Sequence, residues 1–568
     1  VTDLPPPRDG SDEHDPDEPT RADPIGRATV TMAVGTVLSR ATGFVRAATI
    51  AATLGLALTA DMFAVADALP AAMYTIVAGG VLNAVLVPQL VRAMRRDADG
   101  GEAYAQRLAS AVLLVLAAAT VVLVLAAPWV IRLYTGAELD TPQLRPQLDT
   151  TIALARFTLV QVFFYGLYTL LGQMLNARGR FGPMMFAPIL NNLIAIAVFG
   201  GFLLAMGPLD PAAGEYTAAQ VAWFGLGSTL GIAAQALVLL PVLWRTGLRL
   251  RLRTDLRGVG LGRAFRLGAW TVMLIGLMQA TQIVVVRLAT SATAIAAGSD
   301  AVDRGAGIAV YNSAFLIIMV PHSIITVSLA TAMLPDLSRL AAASRLDVLR
   351  ARVMGALRAG LAVIIPFAGL LVALAAPVSR LLFGYGAASE DVDLVALTLA
   401  AFVPGLIGFT TTFLVQRAFY AQEDTRTPVL VQLIVSAVQI SLSVTIVPTL
   451  DPVYVATGLA ASWSIATLCG AIGSLVLLRR RVGRLGGASL AGFLLVVAVA
   501  AVPGTLVVLV LTRTPEVSEV ESVLGTLVVL AGGTVVAALS YLALALALRV
   551  APVRDGVGWV RARIGHGG

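Results

Sequence analysis

The stretch LAAPWVIRLYTGAE (Leu125–Glu138) returns later in the chain as LAAPVSRLLFGYGAASE (Leu374–Glu390). Each copy follows a long apolar run and brings a proline, an arginine and then glycine and acidic residues, the punctuation of a helix ending at a membrane surface. Two further landmarks keep the same order and nearly the same offset. LNAVLVPQLVR (Leu82–Arg92) returns as LATAMLPDLSR (Leu329–Arg339), and NARGRFGP ending at Pro183 is echoed by YAQEDTRTP ending at Pro428. Chance likeness among apolar segments would not preserve all three, so the chain reads as a duplicated unit.

The unit is helical and belongs in a bilayer. The 568 residues are 58% hydrophobic and only 13% charged, with a mean hydropathy of +0.86. Apolar runs long enough to span a membrane recur along almost the whole length. Fourteen helices are expected, at 28–56, 63–91, 107–132, 151–176, 184–206, 219–244, 264–288, 306–337, 351–375, 393–420, 428–447, 454–478, 489–511 and 524–548. The fold class is therefore an all-α polytopic membrane protein. Two pseudo-symmetric six-helix lobes, 28–244 and 264–478, share one orientation around a central cavity, as in transporters built from parallel repeats. Helices 13 and 14 (489–548) are left over as an apolar pair.

All 40 basic residues are arginine, and their placement orients the chain. Thirty fall on segments that would face the cytoplasm. The outer loops hold only Arg132, Arg145, Arg287, Arg304, Arg380 and Arg513. This positive-inside bias holds only if the helix count is right, because a missed span would invert every loop beyond it. Both termini are expected in the cytoplasm. An acidic, proline-rich tail (1–27) has too few apolar residues to fold, and a short cytoplasmic tail (549–568) follows helix 14. The basic pI reflects this topology, not nucleic-acid binding. With Cys469 as the only cysteine there is no disulfide, and neither a metal-ligand spacing nor a nucleophile–base pairing is visible. No enzyme, metal or cofactor is expected.

Helix 1 contains SRATGFVRAATIAATLG (Ser39–Gly55), with Arg40 and Arg46 inside an otherwise apolar run. A charge at the bilayer centre costs about 2.5–3.5 kcal/mol on insertion scales, so intramembrane arginines point to a site. On a straight helix the two would point about 120° apart. Gly43 lies between them, and a bend there would turn both into one cavity. A diphosphate is a suitable counter-charge, because planar guanidinium donors match phosphate oxygens two at a time. A structural reading stands beside it, in which Asp61 or Asp67 neutralises one arginine. Asp67 is open to a role as ion-pair partner or proton-coupling group, and so is His322, which follows Pro321 in helix 8. Arg156 and Arg358, close to helix ends, are expected to snorkel. Gln279, Gln282, Asn191 and Asn192 are expected to hydrogen-bond between helices.

SRATGFVRAATIAATLG, TADMFAVADALP and GGVLNAVLVPQL together resemble the MurJ/MviN family of lipid II flippases, of the multidrug/oligosaccharidyl-lipid/polysaccharide exporter superfamily. MLNARGRFGPMMFAPILNN (174–192), LFGYG (382–386) and FYAQEDTRTP (419–428) extend the resemblance over about residues 28–550. It implies outward transfer of an undecaprenyl-pyrophosphate-linked peptidoglycan precursor across the bacterial plasma membrane by alternating access. Membrane potential, proton or sodium would drive it, and cell-wall synthesis or division proteins are implied partners. It also implies substrate-binding roles for Arg40, Arg46 and Asp61, and a lipid-tail groove at helices 13 and 14. The chain departs from the family in two places: Tyr74-Thr75 in helix 2 and YNSAFLIIMVP in helix 8 replace expected cavity arginines. An ion-coupled drug exporter of the same superfamily, another lipid-linked saccharide exporter, and a non-transporting scaffold for wall synthesis are the alternatives.

Overall fold

The computed structural model describes residues 24–76, 102–210, 215–248, 250–251, 253–255, 269–298, 307–518 and 522–565. All regular structure among them is helical, as a bilayer without water to satisfy open backbone groups demands. The membrane helices are α1 (Pro24–Leu54), α2 (Leu58–Tyr74), α3 (Glu102–Leu125), α4 (Arg145–Ala177), α5 (Gly182–Met206), α6 (Ala218–Trp244) and α7 (Ala269–Gly298). There follow α8 (Ile308–Ala342), α9 (Leu346–Ala373), α10 (Val392–Ala421), α11 (Arg426–Thr445), α12 (Val455–Val482), α13 (Gly487–Leu511) and α14 (Val523–Ala547). Twelve of the described helices, α3 to α14, are long and apolar enough to cross a membrane, and α1 and α2 complete the fourteen.

Several boundaries differ from expectation for local reasons. Helix α1 begins at Pro24, inside the expected tail. Helix α3 stops at Leu125, before Pro128, and a separate helix, Ala127–Tyr134, continues the chain. Helix α7 runs on to Gly298, because the alanine-rich SATAIAAG favours helix despite its hydroxyls. Arg287, expected in an outer loop, therefore lies within α7. The C-terminal segment from 549 is not a bare tail. It forms a helix, Ala551–Gly565, that packs against α9 and α14, with Val550 buried and Val553 resting on the same apolar cluster. The part of helix 2 beyond Ile76, with the Leu82–Arg92 landmark, falls outside the described residues, as does the expected tail before Pro24.

The duplication is physical. In the first lobe α1 packs on α5, α2 on α4, α3 on α4, and α4 and α5 on α6. In the second, α7 packs on α11, α8 on α10, α9 on α10, and α10 and α11 on α12. The helix Ala127–Tyr134 finds its counterpart in Ala375–Phe383, and each leans on the first helix of the opposite lobe. The α4–α5 and α10–α11 turns are built alike. The Arg180 N–H returns to the Leu175 carbonyl at 2.9 Å past a left-handed Gly179, as the Asp424 N–H does to Phe419 at 2.9 Å past a left-handed Glu423. Asp424 then caps α11 through the N–H groups of Arg426 and Thr427 and pairs with Arg481 at 3.0 Å. Burial works to raise the Asp424 carboxyl, but the Thr427 hydroxyl, these N–H groups and Arg481 hold it below the ordinary carboxylate range.

Each lobe has an aromatic core. Phe63, Phe199, Phe202, Phe224 and Tyr216 fill the first, and Tyr311, Phe315, Phe402, Phe409 and Trp463 the second. Small residues bring backbones together around the second core, since apolar burial supplies no driving force between helices in lipid. Helices α13 and α14 pack on each other and on α9, so the extra pair belongs to the second lobe. Tyr541 donates to the Ala362 carbonyl at 2.6 Å and Arg358 to the Ser489 hydroxyl at 3.0 Å, tying both helices to α9.

A Cβ added at Gly408 would meet the α12 backbone at Leu468 N and Thr467 C, both at 2.6 Å. Gly408→Leu should therefore destabilise the protein by about 1–3 kcal/mol, the usual penalty of overpacking. Gly355→Ala, where a Cβ meets nothing within 4 Å, is the control and should leave the midpoint of thermal unfolding in detergent unchanged or raised.

Candidate functional site

The two lobes meet where α1 ends and α2 begins. There, Gly55 at the end of α1 lies against Ala387, and Gly386 lies against the Ala52 backbone, both from the link that follows α9. Asp61, in the first turn of α2 and 1% exposed, closes this end. Its carboxylate accepts from the Thr293 hydroxyl of α7 at 2.5 Å and from the Ala309 N–H in the first turn of α8 at 2.7 Å. The open N–H groups of a helix start are a favourable place for a carboxylate. Tyr216 donates to the neighbouring Thr59 carbonyl at 2.6 Å. The opposite end carries the arginine-rich turns after α4, α8, α10 and α12.

Between the lobes, inward of Asp61, lie two adjoining chambers. One, of about 400 Å³, is lined by Arg46, Asp67, Asn192, Asn312 and Ser313 among apolar residues of α1, α2 and α8. The next, of about 360 Å³, lies toward the arginine-rich end and is lined by Arg40, Ser39, Tyr168, Asn192, Leu316 and Val320. Gly43, Asn192 and Leu316 border both. A third cavity of about 300 Å³ lies in the seam between α2 and α7, beside Gln279 and Gln282.

Helix α1 is unbroken through Gly43, which corrects the expected bend. No bend is needed. At 100° per residue Arg40 and Arg46 lie about 60° on either side of Gly43, and a cavity bordered by a whole helix face subtends that arc. Gly43 leaves the centre of the stripe open, and a Cβ there would find only Asn192 Nδ2, at 3.6 Å. Asn192 donates to the Ser39 carbonyl at 3.0 Å and the Thr42 hydroxyl at 2.9 Å, so it holds α5 to the arginine-bearing stretch. Gln279 plays the comparable part across the lobes, donating to the Ala72 carbonyl at 2.9 Å.

The charges separate into three situations. Arg46 pairs with Asp67 at 2.9 Å, each side chain 23% exposed, so one arginine already has its counter-charge. Arg40 is exposed in its chamber and has no carboxylate partner among the described residues. Asp61, expected beside the substrate, is instead enclosed in the contact between lobes and borders neither chamber. His322 is buried in a π-helical turn, His322–Thr326, that Pro321 introduces into α8. Its ring sits 4.5 Å from that of Phe409 and 4.9 Å from that of Phe413. Tyr74 of α2 stacks on Tyr165 at 6.1 Å, inside the first lobe. Thr293 and the first turn of α8 were missed in sequence, because a threonine in an apolar run and a bare N–H give no signal.

The family model "Lipid II flippase MurJ" matches residues 50–529. A probable lipid II flippase MurJ of Rhizobium meliloti (strain 1021) is 26% identical over 446 residues, 77% of this chain and 78% of its own length. A lipid II flippase MurJ of Burkholderia cenocepacia is 28% identical over 408 residues, 71% of this chain and 74% of its own. Among solved structures, a lipid II flippase MurJ in an inward closed conformation superposes with a TM-score of 0.69 at 17% identity, covering 92% of this chain and 99% of that one. An inward-facing multidrug resistance MATE family transporter of the MOP superfamily superposes with a TM-score of 0.61 at 17% identity, over 81% and 99%.

Two outcomes check this geometry. Asp67→Asn should lower stability by about 1–2 kcal/mol, a value discounted for partial exposure. The exchanged pair Arg46→Asp with Asp67→Arg should recover that loss, read as thermal unfolding in detergent. At the closed end, Asp61→Ala should weaken the contact between lobes. In a Cys469→Ala background, disulfide formation between Ala52→Cys and Ala387→Cys should then slow severalfold relative to the same pair with Asp61 intact.

Proposed function

This chain belongs to the lipid II flippase MurJ family, and we propose that it moves a lipid-linked peptidoglycan precursor from the inner to the outer leaflet of a bacterial plasma membrane. The observation that carries the reading is the unpaired Arg40 in a cavity between two lobes that are latched at one end. The positive-inside rule places the arginine-rich end, and both termini, in the cytoplasm, so the chamber that holds Arg40 faces the side where the precursor is made.

The cycle follows from the geometry. The diphosphate enters at the cytoplasmic half, where guanidinium groups replace its water with directed donors. Its polar head occupies the cavity, and its isoprenoid tail stays in lipid along an apolar groove at α13 and α14. Closure at the arginine-rich end must compete with the Asp61 latch, so opening outward requires Asp61 to give up its bonds to Thr293 and Ala309. An inside-negative potential favours outward movement of an anion by about 2.3 kcal/mol per elementary charge per 100 mV. Membrane potential therefore suits this substrate, with proton or sodium coupling through Asp67 or His322 as the other candidates. Cell-wall synthesis or division proteins are proposed partners.

The MATE likeness favours a second reading, an ion-coupled drug exporter. Against it stands the wider match to the MurJ structure, which covers 92% of this chain where the MATE structure covers 81%. The one carboxylate among the described residues that line the two chambers, Asp67, is also already paired.

The test is survival of a bacterium depleted of its own lipid II flippase and expressing this chain. Wild type should restore growth and Arg40→Ala should abolish it. Arg40→Lys should be clearly impaired at matched membrane levels, because an ammonium lacks the planar pair of donors. Full growth with Arg40→Ala would end the reading of Arg40 as a substrate ligand.

A further inference from the structure

The seam between α2 and α7 holds a chemistry that the two arginine chambers lack. Its cavity, of about 300 Å³, is lined by Gln279 and Gln282 of α7, Asn312 of α8 and Tyr134 of the short helix after α3, among alanines and aliphatic side chains. None of the described residues that line it is charged. Tyr134 is 3% exposed, and its hydroxyl is buried without a hydrogen-bond partner among the described residues. A buried polar group left unpaired costs stability, so this hydroxyl calls for an explanation. Gln279 donates to the Ala72 carbonyl at 2.9 Å, which leaves its own carbonyl oxygen unengaged. Among the described residues no hydrogen bond engages Gln282 or Asn312.

The place of this cavity matters as much as its lining. Ala64, Ala68 and Asn312 border both it and the chamber that contains the Arg46–Asp67 pair, so the two spaces share a thin wall of α2 and α8. A ligand with its charged part among the arginines would therefore meet the seam with a neutral part. The lining narrows what that part is. A charged group would find no counter-charge there, and an acyl chain would bury four polar side chains unpaired. A carboxamide offers two donors and an acceptor, and a phenol offers one of each. That set matches a group which itself carries both, such as a sugar ring with hydroxyl and acetamido substituents. A volume of about 300 Å³ stands at the small end of ligand sites, which are about 300–1,000 Å³, and suits one ring.

We propose that the α2–α7 seam cavity binds one neutral acetamido sugar of the lipid-linked saccharide, with Tyr134, Gln279, Gln282 and Asn312 as its hydrogen-bonding residues. The sugar supplies the partner that the Tyr134 hydroxyl lacks. Because the four residues come from both lobes, the sugar bridges them across the seam, beside the chamber and apart from its charges. This inference rests on the flippase reading and adds to it a second site, selective for a different part of the same substrate.

The test measures binding of three lipids to the purified full-length chain in detergent: lipid II, the same lipid without its peptide, and undecaprenyl diphosphate without sugar. Wild type should bind the two sugar-bearing lipids more tightly than the third. Tyr134→Phe and Gln282→Leu should each weaken both sugar-bearing lipids by about three- to tenfold, the loss of one neutral hydrogen bond, and leave undecaprenyl diphosphate unchanged. Tyr134→Phe should also keep or raise the midpoint of thermal unfolding, because it removes a hydroxyl with no partner in the protein. Unchanged affinity for all three lipids in both variants overturns the inference and assigns the cavity to water. Equal loss for all three overturns it by showing a structural role, and loss confined to the peptide-bearing lipid overturns the sugar assignment. In each of these cases wild type still binds lipid II and the flippase reading stands. Wild type that binds none of the three lipids sinks that reading together with this one.

Discussion

A guanidinium held within a bilayer must have a counter-charge, a wet cavity, or both, and the arrangement of this protein follows from that constraint. Arg46 takes the first solution through Asp67. Arg40 takes the second, opening into a chamber shared by the two lobes. Were α1 packed on all sides, Arg40 would not be tolerable, so it requires the lobes to stay apart along part of their length. The chain meets the requirement by leaving two chambers between the lobes, inward of the contact at Asp61.

The two ends differ in chemistry as well as in spacing. At the closed end Asp61 accepts from Thr293 and from the Ala309 N–H, and Tyr216 donates to the Thr59 carbonyl. Such a network stabilises only while it is complete, because a buried carboxylate that loses its donors loses several kcal/mol of compensation. Toward the other end Arg40 lines a chamber and has no carboxylate partner among the described residues. A satisfied latch opposite an unsatisfied cavity is a two-state device, and an anion is the ligand with different affinities for its states.

The duplication supplied the scaffold, and divergence supplied the site. Both lobes repeat the same helix pairings and the same short helix after their third spans. Both also turn π-helical at matching points, Thr75–Ile76 in the first lobe and His322–Thr326 in the second. The neighbours differ. Beside the first lies the Tyr74–Tyr165 stack, beside the second the Phe409–His322–Phe413 sandwich. One backbone frame thus packs phenols at one position and an imidazole between phenylalanines at the other.

The helices, their number, the duplication and the membership of α13 and α14 apart from the two repeats were all legible in the sequence. They depend on hydropathy, on proline and glycine punctuation and on arginine placement, which are local or nearly local properties. The boundaries that escaped, α3 at Leu125 and α7 at Gly298, turn on how proline and alanine-rich segments settle against neighbours. Arg40 and Arg46 were legible because a charge in an apolar run stands out. What they do was not. Whether Asp61 or Asp67 would meet an arginine depends on the rotation of α2 against α1, which no spacing within α2 reveals. The face that α1 turns to the cavity likewise depends on where α8 stands across it. The sequence by itself determined a duplicated helical membrane protein with charge at its centre. Tertiary structure alone decided which charges cancel and which remain free, because pairing across lobes is set by distance in space between residues far apart in the chain.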